Sequence, residues 1–162
     1  ISITDTGCGI SEESLHKIRG CLKVLDDQAF RFRPNEHSNG PEQLLRHLRG
    51  NIGQYILSGL GGEPDLRDRN AEFSARPGSR AVVESEFFTV SGAALDIIRT
   101  VPDSVLLQRK RVQGFDLSGM GIILHVVEHL SYHTGQLVYL TKRACDLDLG
   151  FYRDFDLNQK NE

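Results

Sequence analysis

The chain of 162 residues suits one domain and is long enough to bury a core. Its hydrophobic content is 39% and its net charge only −3, which excludes intrinsic disorder and a strongly polarised surface. The basic residues are scattered among acids, with Arg109-Lys110-Arg111 the one tight cluster, so nucleic acid is not an expected partner.

Cys8, Cys21 and Cys145 are odd in number and lack ligand spacing, which argues against a disulfide framework or a zinc ribbon and for a reducing, cytoplasmic setting. No apolar run approaches the roughly 20 residues needed to span a bilayer, and no signal peptide is visible, so no membrane partner is expected. The first residue is Ile rather than Met, and further residues upstream are expected.

Residues 1–10 are read as a flexible lead-in. Within them, Asp5-Thr-Gly7-Cys-Gly9-Ile10 resembles one nucleotide-contacting box of the histidine-kinase and gyrase type of ATPase. A second phosphate box should accompany it, but Gly59-Leu60-Gly61-Gly62 leads into Glu63-Pro64 instead of opening a helix. An ATPase fragment is therefore a remote alternative.

Helical signals start at Ser11, a candidate N-cap followed by Glu12 and Glu13. Leu15, Ile18, Leu22 and Leu25 recur at spacings of three and four, which predicts a first helix ending near Asp26 or Asp27. His16 falls outside that face and is expected to be exposed. A loop over Arg31–Pro41 follows, with Pro41 suited to a first helical turn.

The second helix is predicted over about Pro41 to Ser58. Taking His47 as 0°, Leu44, Leu45, Leu48, Ile52, Tyr55 and Ile56 spread over roughly 60° to 180°, which puts His47 on the border of the apolar face, with Asn51 one turn further on. Gly59–Ser79 is too rich in glycine, proline and alternating charge for regular structure and reads as a long loop, most of its charges solvated.

A third helix is predicted from Arg80 to Thr100, with Val83, Phe87, Val90, Ala94, Leu95 and Ile98 inward and Pro102 beyond its end. Leu107 to Leu117 alternates around Gly114, the pattern of a short hairpin or of an extended crossing segment. The fourth helix opens at Ser118 or Gly119 and stops between Cys145 and Gly150. Beyond it, the aromatic residues of Asp148–Phe155 are expected to pack back on the helices. The tail 153–162 is expected to fray. The predicted class is all-α: a four-helix bundle over residues 11–152.

The fourth helix carries His125, His129 and His133, one every fourth residue. With His129 at 0°, Ile122, Val126, Leu130, Leu137, Leu140 and Ala144 occupy roughly 20° to 100°, the inward stripe, and His129 and His133 lie on or beside it. Imidazoles facing a core need partners for their nitrogens, and a metal ion is one. Residues 125 and 133 are about 12 Å apart along the axis, so the competent pair is 129 with 133 or 125 with 129. Facing helices of a bundle let His47 join that pair. Gln136, at about 340° on the same wheel, is a candidate to support the ligands from behind.

Taken together, Leu44-Leu-Arg-His47-Leu-Arg-Gly-Asn51, Ser58-Gly-Leu-Gly-Gly-Glu-Pro-Asp65-Leu-Arg-Asp68-Arg-Asn-Ala-Glu72-Phe73 and His125-Val-Val-Glu-His129-Leu-Ser-Tyr-His133-Thr-Gly-Gln136 resemble the DinB-like superfamily, and within it an uncharacterised bacterial branch. The likeness runs from about Ser11 to Tyr152. It implies a DinB-like four-helix bundle, often a homodimer, with His47, His129 and His133 holding a divalent metal, zinc or nickel foremost. His125, outside the ligand pattern, is expected to support the ligands from behind or to serve the structure, and Gln136 and Asn51 are further candidates to support the ligands.

Relatives named by the resemblance include bacillithiol transferases and mycothiol-dependent maleylpyruvate isomerase. The expected function is thus a metal-dependent S-transferase or hydrolase acting on a small-molecule substrate, with a low-molecular-weight thiol as its expected partner. The alternative is a metal-binding or stress-response module without catalysis.

Overall fold

The computed structural model describes residues 10–73 and 78–160. The glycine motif of Asp5 to Gly9 lies outside the described residues, and so does part of the long loop, 74–77.

Helix α1, Ile10–Val24, begins one residue ahead of the expected cap, so Ser11 falls inside the first turn beside Glu12 and Glu13. Its apolar positions close on the core through Ile18, Cys21 and Leu22, continued by Leu25 beyond its end. Helix α2, Asp27–Arg31, was not expected. Five residues are too few for a 3.6-residue period to register, yet Asp26 caps the turn by accepting from Ala29 N at 2.7 Å, and Phe30 is fully buried by it.

Helix α3, Pro41–Ile52, opens on Pro41, with Gln43 Oε1 accepting from Gly40 N at 3.0 Å. The single helix expected to Ser58 changes register at Gly53. From there to Ser58 the backbone is π-helical, with Gly59 N donating to Gln54 O at 3.1 Å and Gly61 N to Ile56 O at 2.9 Å. Periodicity alone could not reveal this widening, because Tyr55 and Ile56 remain fully buried through it.

The loop that follows holds a second short helix, α4, Arg69–Phe73, capped by Asp68 Oδ1 accepting from Ala71 N at 3.1 Å. Helix α5, Arg80–Thr100, agrees with expectation and presents Val83, Phe87 and Ala94 to the core, with Ser91 between them. A short α6, Asp103–Leu107, follows Pro102.

The segment left open between hairpin and crossing strand is a hairpin. Strand β1, Arg109–Val112, pairs antiparallel with β2, Phe115–Ser118, with Val112 opposite Phe115. Gln113 and Gly114 both have positive φ, 51° and 84°, which the tight turn of a right-twisted hairpin requires.

Ser118 then caps α7, Gly119–Cys145, by accepting from Gly121 N at 3.0 Å. Its inward face differs from expectation at the far end. Ala144 is exposed and Leu140 half-buried, while Thr134 and Thr141 are buried. Both threonine hydroxyls donate to the carbonyl four residues back, at 2.7 and 2.8 Å, which satisfies them inside the core.

The described residues are therefore mainly helical, with seven α-helices and one two-stranded sheet. Helix α7 packs on α1 and α3, and α3 packs also on α5. No helix among the described residues is long and apolar enough to cross a membrane. Beyond α7, Phe151 lies over Gly20 and against the exposed ring of His16, and the Tyr152 hydroxyl donates to Glu13 at 2.9 Å. Phe155 stays exposed.

Candidate metal centre

Packing of α3 on α7 brings one ring nitrogen from each of His47, His129 and His133 within 4.8 Å of one another. His129 Nε2 lies 2.9 Å from His47 Nε2, and the His133 ring is 4.5 Å from that of His129 and 5.0 Å from that of His47. His47 and His133 are buried and His129 is half-buried. The border position read for His47 is closed over in the fold.

Two of the rings are fixed from behind. His47 Nδ1 lies 2.9 Å from Glu72 Oε2. Arg67 Nη2 is 3.3 Å from the same nitrogen, but a guanidinium offers only donors, and the nearer carboxylate is an acceptor, so Nδ1–H donates to Glu72. This tautomer turns the Nε2 lone pair of His47 toward the other two rings. Likewise, Gln136 Oε1 accepts from His133 Nδ1 at 2.7 Å and leaves the other nitrogen of that ring free.

Most charges of the long loop are expected to be solvated, and Glu72 is an exception. Its side chain and that of Arg67 are 6% and 4% exposed, and Arg67 Nε donates to Glu72 Oε1 at 2.7 Å. Arg67 also donates to Gln54 Oε1 at 2.9 Å, and Asp65 accepts from both Gln54 and the Arg67 backbone. The long loop is thus tied to α3 through the acid that holds His47. Gly50 makes room for it, since a Cβ there would collide with Glu72 Oε1. The available signal was the Asp68 cap four residues before Glu72, which announces a helical turn, but nothing in the spacing pointed that turn at His47.

His125 is not part of the trio. It stacks on Tyr55 at 4.3 Å between ring centres and lies 5.7 Å from His129 in a near-parallel stack. Tyr55, fully buried, donates its hydroxyl to Gln113 Oε1 at the hairpin turn, 2.9 Å away. Asn51 is buried one turn beyond His47, but among the described residues no hydrogen bond joins it to the imidazoles and its Oδ1 has no partner. Tyr132 and Glu128 are exposed.

A match to a family model covers residues 12–151, and so includes all three histidines, Glu72 and Gln136. The chain belongs to the family described as Protein of unknown function (DUF1572). No curated protein matches it.

In this DUF1572 chain the electrostatics of His129 and His133 favour neutral rings. Burial, then the neighbouring His133 and His47, push the His129 imidazolium down to about 3. Burial also lowers His133, against the opposing hydrogen bond to Gln136. For Glu72 burial acts upward, but hydrogen bonds from His47 and Arg67 outweigh it and hold the carboxyl below its ordinary value. A neutral imidazole is the form that ligates a metal. At roughly 2.0–2.1 Å from a tetrahedral ion, ligand nitrogens stand about 3.3 Å apart, so the trio needs only small adjustments. The donor set of three imidazoles, with an acceptor behind two of them, fits a divalent cation.

Proposed function

We propose that this protein is a divalent-metal-dependent enzyme of the DinB-like superfamily, with α1, α3, α5 and α7 forming its four-helix bundle. His47, His129 and His133 would hold the ion, zinc or nickel being among the metals that imidazole donors suit. The observation that carries the reading is the convergence of the three ring nitrogens within 4.8 Å, with Glu72 and Gln136 orienting two of them.

Three protein ligands leave coordination positions open, the feature that separates catalytic from structural zinc. When bound, such an ion supplies Lewis acidity, favouring the thiolate of a small thiol or lowering the pKa of water. The residues' own work is positional. Glu72 selects the His47 tautomer and contributes negative charge next to a cation, Arg67 keeps that carboxylate in place, and Gln136 does the same for His133 by accepting its Nδ1–H. The substrate would be a small molecule and the co-substrate a low-molecular-weight thiol, in a cytoplasmic homodimer.

Metal analysis of the purified protein and of His47→Ala and His133→Ala, followed by thiol-transfer and hydrolysis assays with and without chelator, tests this. The expected result is one ion per chain, lost in both variants together with turnover. Unchanged metal affinity in His47→Ala would refute the shared site. Stoichiometric metal with no turnover on any thiol or ester would replace the enzyme by a binding module.

A further inference from the structure

On the outer side of α7, beside His133 and Gln136, lies a cavity of about 900 Å³. This is toward the upper end of the range of small-molecule sites, about 300–1,000 Å³. One wall is the loop Pro34–Asn39 and the other is α7 from Tyr132 to Arg143. The loop is held in shape by Arg33, whose guanidinium donates to Ser38 O at 3.2 Å and Glu36 O at 3.0 Å, and by Asn35 Oδ1 accepting from His37 N at 3.0 Å.

We propose that this groove binds the substrate, and that the substrate is a small organic carboxylate with a flat, apolar portion. Three features of the wall specify that chemistry. Arg143 lines the groove, whose lining holds no Asp or Glu, and makes no ion pair among the described residues, although it also borders the adjoining hollow that Asp26 lines. An unpaired guanidinium in a hollow without acids selects a carboxylate, which it can bind through two parallel hydrogen bonds. Tyr132 and Tyr139 are 64% and 67% exposed, with the Tyr132 ring edge-on to that of His133 at 4.9 Å. Seven residues apart, they stand about 10 Å from one another along the helix and offer faces to a flat group.

Between them is Gly135. Glycine in the interior of a helix costs about 1 kcal/mol relative to alanine, and no neighbour explains it, since a Cβ at 135 would meet nothing within 4 Å. Its missing side chain leaves open a slot between the two rings. His133 lies at one end of the groove and Arg143 about 15 Å along the axis at the other, so a ligand anchored at Arg143 has its far end beside the trio. The inference rests on the proposed metal site only for the direction the ligand faces.

The test uses purified full-length protein, with and without zinc, titrated with N-benzoylglycine and 4-phenylbutyrate and with the primary amide of each, followed by NMR shifts of the tyrosine rings. The acids are expected to bind about tenfold or more tighter than their amides. Arg143→Gln should abolish that preference at unchanged zinc content, and Gly135→Leu should abolish binding of acid and amide alike. Equal binding of acid and amide, no binding of either acid, or a preference that survives Arg143→Gln would overturn the proposal. A preference that disappears on removing zinc instead of Arg143 would place the carboxylate on the ion and overturn it too. If the groove behaves as expected while no zinc binds at His47, His129 and His133, the groove stands and the metal reading fails.

Discussion

Glu72 and His47, 25 residues apart in the chain, meet at 2.9 Å in a place closed to solvent. The contact joins a short helix in an irregular loop to the ring of α3 that completes the histidine trio. It also fixes which nitrogen of His47 faces the other two.

Replacing Glu72 by Gln keeps the shape and removes the charge. Supporting acceptors of this kind are worth about 10–100-fold in metal affinity, so E72Q should weaken zinc binding by that factor in a chelator competition. The variant should also lose some stability, because Arg67 is left buried with a neutral partner. An unchanged affinity would show that the negative charge of Glu72 does not support the metal site.

Gly50 offers a second route to the same contact without touching a charge. Alanine is favoured over glycine inside a helix by about 1 kcal/mol, so Gly50→Ala would be expected to stabilise α3 were the position free. Here the added Cβ would displace the Glu72 carboxylate. G50A should therefore lower zinc affinity in the same direction as E72Q, with no gain in thermal midpoint. A stabilised variant with normal metal binding would argue that Glu72 is not confined.

Metal loading should stabilise the fold by mass action. At free zinc 100 times the dissociation constant, the gain is about 2.7 kcal/mol. The thermal midpoint measured by scanning calorimetry should rise with zinc in the wild type and stay flat in His129→Ala. An equal rise in both would locate the bound ion elsewhere.

The metal-free protein should lose stability on mild acidification. His129 is held near 3 in the fold against about 6.5 in an unfolded chain, and burial lowers His133 and His125 as well. Between those limits the unfolded chain binds protons that the folded one refuses, so stability is full above about pH 6.5 and declines as pH falls toward 3. Glu72, whose carboxyl is held low, acts in the same direction only below about 4.3. Denaturant midpoints at pH 7.5, 6.5, 5.5 and 4.5 should fall in that order, with a shallower decline in His129→Gln. A flat profile from 7.5 to 5.5 would contradict the burial of these rings.

What could be read from the linear chain was whatever repeats or stops locally. The long helices α1, α5 and α7 follow from apolar residues at spacings of three and four, from Ser118 as a cap, and from Pro102 as a stop. The i, i+4 relation of His129 and His133 is a property of any helix. Five-residue helices leave no period to detect, which is why α2, α4 and α6 were missed, and the π-helical segment at Gly53–Ser58 keeps the same residues buried as an α-helix would. Tertiary packing alone determined that the third imidazole reaches the pair, that His125 stacks on Tyr55 instead of joining them, and that Arg67 and Glu72 leave solvent. Those outcomes depend on how α3, α7 and a long loop are placed in space. A charge in a glycine-rich stretch looks the same in the sequence whether it faces water or a buried histidine.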